Sequence, residues 1–361
     1  MRAALGDELG ELFARVYEIT EEGNYREEAT GKATGRSIPH LERPLSSWAA
    51  ELAMEESALR ARLEEGRVKL LALRARRVRP LLDDKILTDW NGLAIAACAR
   101  AAAAFDEPRY LALARRAADF CLSELRDGNG RLKKRWRQGE AAFAGTLEDH
   151  AFLCWGLLEL YEAGFEVRYL TAALELARTM IAHFGDAEQG GFFSSADDAE
   201  ALLFRHKDVY DGALPSGNSV AAWVLLRLAR ITGQTELEER AERTLRAFGG
   251  AARSPAAHTL YLLALDFALG PSFEIVVAGD PAAADTRALL SAFAHRYRPH
   301  TVLLARPEGD APPIAALAPY TLDQTSRAGR ATAYVCRNYA CRAPTSDIEQ
   351  ALRNLDPKSW E

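Results

Sequence analysis

Two kinds of apolar pattern alternate along this chain from about residue 46 onward. The first kind is apolar on nearly every side, and a helix of that kind has to be enclosed by other elements. The second kind places apolar residues at helical spacing on one side only, which is typical of a surface helix. The first kind occurs at 89–105, 148–164, 216–233 and 255–270, and the second at 108–125, 167–184 and 236–248.

The two kinds come in ordered pairs, and the pairs repeat. The triplet Arg-Tyr-Leu at 109–111 opens one surface helix and recurs at 168–170, which is 59 residues later. A repeat of inner and outer helices around one axis is an α/α toroid. We therefore predict a mainly α fold, an (α/α)6 toroid that is incomplete. It should have about eight helices when the helix at 46–76 is counted.

The connections that return from an outer helix to the next inner helix are long. The stretches 127–146 and 186–215 carry glycine turn signals between strand-like pieces, so we predict β-hairpin loops on one face of the toroid. Long connections on one face of a rigid scaffold are where functional sites tend to be built. The inner helices at 89, 148 and 216 all begin on that face.

The last quarter of the chain has a different pattern. Strand-like runs at 272–279 and 300–309 flank a helical run at 285–297, and a strand and a terminal helix follow within 332–355. We predict a small C-terminal α/β extension. The expected division of the chain is 1–45 for an N-terminal helix and extended connection, 46–270 for the toroid and 271–361 for the extension.

Composition narrows the class of protein. The net charge is −6, so no overall basic surplus favours binding to nucleic acid. The chain contains no run of about 18 uncharged apolar residues, so the sequence predicts no membrane span. Three of the five cysteines lie in helical patterns, which favours a reduced, cytoplasmic protein. Cys336 and Cys341 could form a disulfide, but a cytoplasmic setting favours free thiols. Neither a metal-ligand spacing nor a nucleotide fingerprint occurs, so we expect no metal and no cofactor.

Asp149 and Asp211 are the candidate catalytic residues. Asp149 lies one turn into an inner helix after Thr146, and Thr-x-x-Asp is also a capping-box variant with a purely structural role. In the functional interpretation, Asp149 points toward the toroid axis as a general acid or base whose pKa is tuned by burial.

Candidate ligand-binding residues cluster before two inner helices. The first cluster precedes the inner helix at 89 and contains Trp90 beside Asn91 and Asp89. A Trp ring beside such polar groups suits a carbohydrate, although the ring could equally belong to the core. In the second, Arg205 and Lys207 lie two apart on an expected strand, so both could hold an anion or form an ion pair with Asp211. Ser216 is the natural N-cap of the following helix. The predicted substrate-binding set is Asp84, Lys85, Trp90, Asn91, Arg205, Lys207, Ser216 and Asn218.

Several separate stretches carry a resemblance to a known family. They lie at 83–97, 147–170, 190–198, 205–219 and 334–347, and with them the chain resembles the spermatogenesis-associated, thioredoxin-like protein family. The resemblance implies a toroid of the six-hairpin glycosidase and N-acylglucosamine 2-epimerase type behind a thioredoxin-like domain. No Cys-x-x-Cys occurs in this chain, so it resembles only the C-terminal portion of that family, and we expect it to lack the thioredoxin-like domain.

Two functions remain open at this point. The first is a carbohydrate-active or carbohydrate-binding toroid, resembling a sugar epimerase, isomerase or glycosidase, with acid–base chemistry at the N-termini of the inner helices. The second is a truncated, non-catalytic docking module of a thioredoxin-like protein, with a partner chain supplying the missing helices. The expected partners are thus a sugar or other small polar ligand, or such a chain, with neither nucleic acid nor membrane.

Overall fold

The structure is a computed structural model that describes residues 1–200 and 203–360. Its contacts divide the chain into two compact units that meet in sequence between Asp83 and Asp84. This boundary differs from both boundaries that the sequence suggested, and the three-part division stays a prediction.

The first unit is a small helical cluster. Leu59 and Leu63 of its longest helix are buried in an apolar core with Phe13, Val16 and Trp48. The helix predicted at 46–76 is therefore two helices that pack with the N-terminal ones, and it does not form a toroid hairpin. The elements of this unit are α1 Arg2–Leu5, α2 Asp7–Val16, β1 Tyr25–Arg26, β2 Ala33–Arg36, α3 Leu45–Glu51 and α4 Glu56–Ala75.

Two layers of helices dominate the second unit. The inner layer is α5 Thr88–Phe105, α7 Leu147–Gly164, α9 Gly217–Thr232 and α11 Thr259–Leu269, and the outer layer is α6 Pro108–Glu124, α8 Val167–His183 and α10 Thr235–Ala247. Successive inner helices pack on one another, and each outer helix packs on the inner helix before it. The predicted mainly helical, incomplete toroid is confirmed, with seven helices in its two layers among the described residues.

The inner helices α5 and α7 approach each other at two glycines. A Cβ atom on Gly92 would lie 2.4 Å from the carbonyl carbon of Phe152, and one on Gly156 would lie 2.5 Å from the carbonyl oxygen of Gly92. Such distances are far below van der Waals contact, so only glycine permits this crossing. The two backbones are in direct contact there.

The first long connection forms the hairpin that its sequence predicts. β4 Lys133–Arg137 pairs antiparallel with β5 Glu140–Ala144, and β3 Ile86–Leu87 adds to the other edge of β4. The second connection differs. In the described part of 186–215, strand pairing is limited to one isolated bridge, between Gly185 and Phe192. The expected strand through Arg205 and Lys207 is thus wrong.

The C-terminal region contains the predicted parallel β–α–β unit. Four strands lie in the order β7-β6-β8-β9, with β7 parallel and β8 antiparallel to the central β6. One face of β6 packs against α12 through Ile275 and Val277, and the other face contributes Val276 and Ala278 to the core of the helical layers. The elements are β6 Phe273–Ala278, α12 Ala284–Ala294, β7 Thr301–Arg306, β8 Thr332–Arg337, β9 Ala340–Cys341 and α13 Ile348–Arg353.

Cys336 and Cys341 form a disulfide that links β8 to β9, with their Cα atoms 3.8 Å apart. The preference for free thiols at this pair is therefore corrected. The antiparallel pairing of β8 and β9 places the two residues directly opposite each other. That register, rather than the cellular compartment, brings the sulfur atoms together.

Candidate functional site

Asp149 lies at the first turn of α7 and is fully buried. Its Oδ2 accepts hydrogen bonds from the Thr146 amide at 2.7 Å and the Thr146 hydroxyl at 3.0 Å. Its Oδ1 accepts from the Asp89 amide at 3.1 Å and from Lys134 Nζ at 3.2 Å. Both oxygens are thus occupied by protein donors, as in a capping box that also ties α7 to α5 and β4.

Lys134 joins this carboxylate to a second one. Its Nζ lies 2.7 Å from Oδ2 of Asp89, which is also buried. Burial raises the pKa of Asp149 to about 6, although Lys134 and the Thr146 amide act in the opposite direction. The structure thus brings Asp149 together with Asp89 at the start of α5 and with Lys134, neither of which was among the predicted site residues.

Asp211 forms a bridge between two inner helices. Its Oδ1 accepts from the Ser216 amide at 2.9 Å, just before α9, and its Oδ2 accepts from the amides of Leu260 and Tyr261 in α11 at 2.8 and 3.0 Å. Ser216 caps α9 by accepting from the Ser219 amide at 3.0 Å. These are the contacts of a structural junction, and the catalytic role of Asp211 stays a prediction.

Asn218 and the two basic residues of the second cluster hold the connection 186–215 in place. Asn218 is buried, accepts from the Phe192 amide and donates to the carbonyls of Phe192 and Asp208. Lys207 binds Asp186 at 2.6 Å, and Arg205 donates to the backbone carbonyls of Ser195 and His183. Arg205 and Lys207 therefore do not converge on Asp211, because this segment is not a strand.

The first cluster is spread along the approach to α5. Asp84 forms an ion pair with Arg137, and Asn91 donates to the Leu87 carbonyl at 2.8 Å. Trp90 is 59% exposed, and Lys85 is exposed as well. None of the predicted site residues lines the cavity enclosed by the inner helices, and their ligand-binding roles stay predictions.

A cavity of about 510 Å³ is lined by all four inner helices, at the middle or C-terminal part of α5, α7 and α9 and in the first half of α11. We call it the axial cavity. The last residue of α12 and the segment 295–299 that follows it form the opposite wall. The charged and indole side chains of the wall include Arg100, Trp155, Glu159, Glu162, Trp223, Arg227, Arg296 and Arg298.

A buried ion cluster occupies the wall of the axial cavity. Arg227 is 3% exposed and binds Glu159 through one guanidinium nitrogen and Glu162 through another, the latter at 2.9 Å. Glu159 also accepts from Arg100 and from the Trp155 indole N–H, each at 2.9 Å. The cluster connects the helices α5, α7 and α9 through their side chains.

The two carboxyl groups of this cluster have different environments. Burial disfavours the ionised form of both, but Arg227 and Arg100 outweigh it at Glu159 and hold its pKa at about 2. At Glu162, burial and the neighbouring Glu159 outweigh Arg227, so its pKa is raised. Glu159 is therefore ionised at neutral pH, whereas Glu162 holds a proton more readily than an ordinary glutamate.

Two hydrogen-bond donors of the cavity wall have no partner among the described residues. They are Nε of Arg298 and Nε1 of Trp223, and both atoms are buried. Buried polar groups are hydrogen-bonded in the great majority of cases, so these two donors are exceptions within the cavity wall.

The sequence contained a signal for the axial cavity. Glu159 and Arg227 are charged residues within helices that are otherwise apolar on nearly every side, and a buried charge needs a partner. What the periodicity did not contain was the contribution of Arg298, which comes from a connecting segment far along the chain.

One group of metal-ligating side chains exists in the described residues. The ligand atoms of His183, Asp197 and Asp198 lie within 4.8 Å of one another. Arg131 binds both oxygens of Asp198, at 2.8 and 3.0 Å. A protein cation therefore already neutralises this group, which does not favour a metal ion.

No family model matches the chain.

Comparison with curated proteins finds relatives that align with almost the whole chain. The chain is similar to spermatogenesis-associated protein 20. The human protein is 33% identical over 361 residues, covering 96% of this chain and 46% of the human one, and the mouse protein is 34% identical over 351 residues, covering 94% and 44%. The chain thus spans about half the length of these relatives. The resemblance predicted from the motifs agrees with this similarity, and the lack of a thioredoxin-like domain stays a prediction.

Solved structures give weaker likenesses. Cellobiose 2-epimerase from Bacillus thermoamylovorans has a TM-score of 0.39 at 14% identity, covering 45% of this chain and 44% of that one. The α-1,6-mannanase GH76A from Salegentibacter sp. has a TM-score of 0.38 at 14% identity, covering 66% and 68%. Such values carry no argument about function. Among residues 1–200 and 203–360, none of the helices combines the length and apolar character needed to cross a bilayer.

Proposed function

We propose that this protein binds a carbohydrate in the axial cavity, as a portion of a spermatogenesis-associated, thioredoxin-like protein. The observation that carries the proposal is a cavity of about 510 Å³ whose wall combines two indole rings with buried donors that lack partners. That volume lies within the range of roughly 300–1,000 Å³ that small-ligand sites occupy.

The chemistry of the wall suits a sugar. A sugar ring has an apolar face that packs on an aromatic side chain, and its hydroxyl groups both donate and accept hydrogen bonds. Trp155 is half-buried and supplies such a ring, while its N–H is already fixed on Glu159. Trp223 and Arg298 offer free donors, and Glu162 offers a carboxyl group. A purely apolar ligand would leave these polar groups unsatisfied.

The test compares two tryptophans, one in the cavity and one outside it. Ligand-observed NMR with cellobiose, mannobiose and glucose should detect binding to the wild-type chain. Trp155→Leu removes the ring from the cavity wall and should weaken binding by about tenfold, which corresponds to 1.4 kcal/mol.

Trp90→Leu is the matched control, because Trp90 is an exposed tryptophan at the start of α5 that does not line the cavity. It should bind sugar as the wild type does. Loss of binding in Trp90→Leu with full binding in Trp155→Leu would instead favour the cluster before α5. No binding by the wild type would refute the proposal.

A second candidate is the docking module, and the exposed side of α5 favours it. Trp90, Ala94 and Ala97 are exposed at helical spacing on that helix. Helices α7 and α9 have inner-layer neighbours on both sides, whereas α5 has one, α7, among the described residues. We propose that a partner chain covers the free side, and a second copy of this chain is the partner that a mass measurement tests. Light scattering should then give a dimer mass that Trp90→Glu reduces to a monomer mass, and a wild-type monomer would exclude this interface.

A further inference from the structure

We infer that the carbohydrate bound in the axial cavity carries an acidic group, and that Arg298 is the residue that receives it. This inference rests on the proposed function and narrows it from carbohydrates in general to anionic sugars. It is carried by the charge balance of the cavity wall and by the contacts of Arg298.

The charge balance of the wall is positive. Three guanidinium groups, of Arg100, Arg227 and Arg298, face two carboxyl groups, of Glu159 and Glu162. Arg296 also lines the cavity and is exposed, which adds a further cation at its mouth. Low-dielectric walls of one sign concentrate ligands of the opposite sign, so this cavity attracts anions.

The two carboxylates are already committed to other cations. Glu159 is bound by Arg227 and Arg100, and Glu162 is bound by Arg227. For Arg298, no carboxylate lies within ion-pair distance in the chain as described, residues 1–200 and 203–360. A guanidinium that is taken out of water without a counter-charge is costly, so an incoming anion stabilises it.

The local contacts hold the Arg298 guanidinium in position, but they leave one of its N–H donors without an acceptor and its charge without a counter-charge. One terminal nitrogen donates to Thr301 Oγ1 at 2.9 Å, and the guanidinium carbon lies 5.8 Å from the centre of the Phe293 ring. Nε is buried and has no acceptor among the described residues. Burial lowers the pKa of Arg298, and Arg227 lowers it further, against the attraction of Glu162.

The geometry of a guanidinium suits an oxyanion. Its N–H groups lie in one plane and can bind two oxygens of a carboxylate or a phosphate side by side. A neutral hydroxyl has a single oxygen, so it cannot form this side-by-side pair, and it brings no counter-charge. The anion on the sugar can be a carboxylate or a phosphate. Either one supplies the negatively charged acceptor that Arg298 lacks in the protein alone.

Titration calorimetry of the full chain with three ligands tests the inference. The ligands are glucose, glucuronate and glucose 6-phosphate, which share a ring and differ in charge. At least one anionic sugar should bind about tenfold or more tightly than glucose, since a charge-assisted hydrogen bond contributes about 1.5–3 kcal/mol. The relative affinities of glucuronate and glucose 6-phosphate then identify the acidic group.

Three variants assign the effect to Arg298. Arg298→Gln should abolish the preference for anionic sugars, so that glucose, glucuronate and glucose 6-phosphate bind this variant with affinities within about twofold of one another. Arg298→Lys should retain part of the preference, because it keeps the charge. Arg116→Gln removes the same charge from an exposed position on the outer helix α6, away from the cavity, and should change nothing. Circular dichroism melts establish that each variant is folded.

The outcomes separate the inference from the function on which it rests. Equal affinities for glucose and both anionic sugars would overturn the inference and leave carbohydrate binding intact. An anionic preference that survives in folded Arg298→Gln would overturn the assignment of Arg298. Absence of any sugar binding would overturn both the inference and the proposed function.

Discussion

Two polar regions of the second unit, the loop-side cluster and the axial cavity, differ in how completely their hydrogen bonds are satisfied. The loop-side cluster comprises Asp89, Lys134 and Asp149 with Asp211, Ser216 and Asn218, at the starts of the inner helices. Each carboxylate oxygen of Asp149 and Asp211 accepts at least one hydrogen bond from protein. In the axial cavity, by contrast, two buried donors have no partner among the described residues.

Convergence of polar residues therefore does not by itself mark a ligand site. Polar side chains at helix starts are needed to satisfy the free N–H groups there, whatever the protein does. A site for a ligand needs space and unsatisfied groups in the same place. The axial cavity has both, and the loop-side cluster uses its polar atoms to join helices and connections.

The largest effect on this comparison is expected from Asp211→Asn. The change leaves one acceptor oxygen where a buried carboxylate now accepts three amide N–H groups from two helix starts. The free energy of unfolding, measured by urea denaturation, should fall by about 3 kcal/mol. Asp208→Asn is the control, because that exposed carboxylate accepts one amide N–H, and its effect should stay below about 0.5 kcal/mol. Similar effects in the two variants would mean that Asp211 is not a junction.

A smaller effect, visible as pH dependence, is expected from Asp149. Burial raises its pKa from 3.8 to about 6, so the folded state binds this proton more tightly than the unfolded state. The contribution of this group to the free energy of unfolding therefore decreases as pH rises from about 4 to about 6, by about 2 kcal/mol.

Asp149→Asn lacks the titrating group, so its stability should decline less over that interval than the wild type's, as measured by urea denaturation at several pH values. Identical slopes would contradict the raised pKa. The same variant also distinguishes the two candidate places of binding. If folded Asp149→Asn lost carbohydrate binding, the ligand site would lie in the loop-side cluster and not in the axial cavity.

The smallest effect is expected from Ser216→Ala, which removes the N-cap of α9. Loss of such a cap typically costs about 1 kcal/mol. Ser123→Ala serves for comparison, since Ser123 is exposed near the end of α6 and caps no helix start. In thermal unfolding, the melting temperature of Ser216→Ala should be lower than that of the wild type. The melting temperature of Ser123→Ala should equal that of the wild type. The reverse ranking would show that the hydroxyl of Ser216 has no capping role.

Much of the fold could be predicted because helices have a period that the sequence carries. The inner helix predicted at 89–105 is Thr88–Phe105, and the outer helix predicted at 167–184 is Val167–His183. The parallel β–α–β unit was equally readable from two apolar runs around a helical one. The interpretation failed at 186–215, where Arg205 and Lys207 bind backbone carbonyls and Asp186 in an irregular segment. Alternation alone could not exclude a strand there.

The candidate site was less predictable, for a physical reason. Residues at helix starts are recognisable by type and position, so Asp149 and Ser216 were found, and with them their capping roles. The axial cavity depends on which side of each inner helix faces the axis and on the segment that carries Arg298. That arrangement follows from packing between elements distant in sequence, which local periodicity does not record.

The contact between Gly92 and Gly156 has a mechanical consequence. The backbones of the two helices touch at this crossing. Close-packed elements resist sliding and tilting, so we expect α5 and α7 to move together. Arg100 and Glu159 belong to these two helices. Any change in the width of the axial cavity when a ligand enters must therefore come from the opposite wall, through α9 and the segment that carries Arg298.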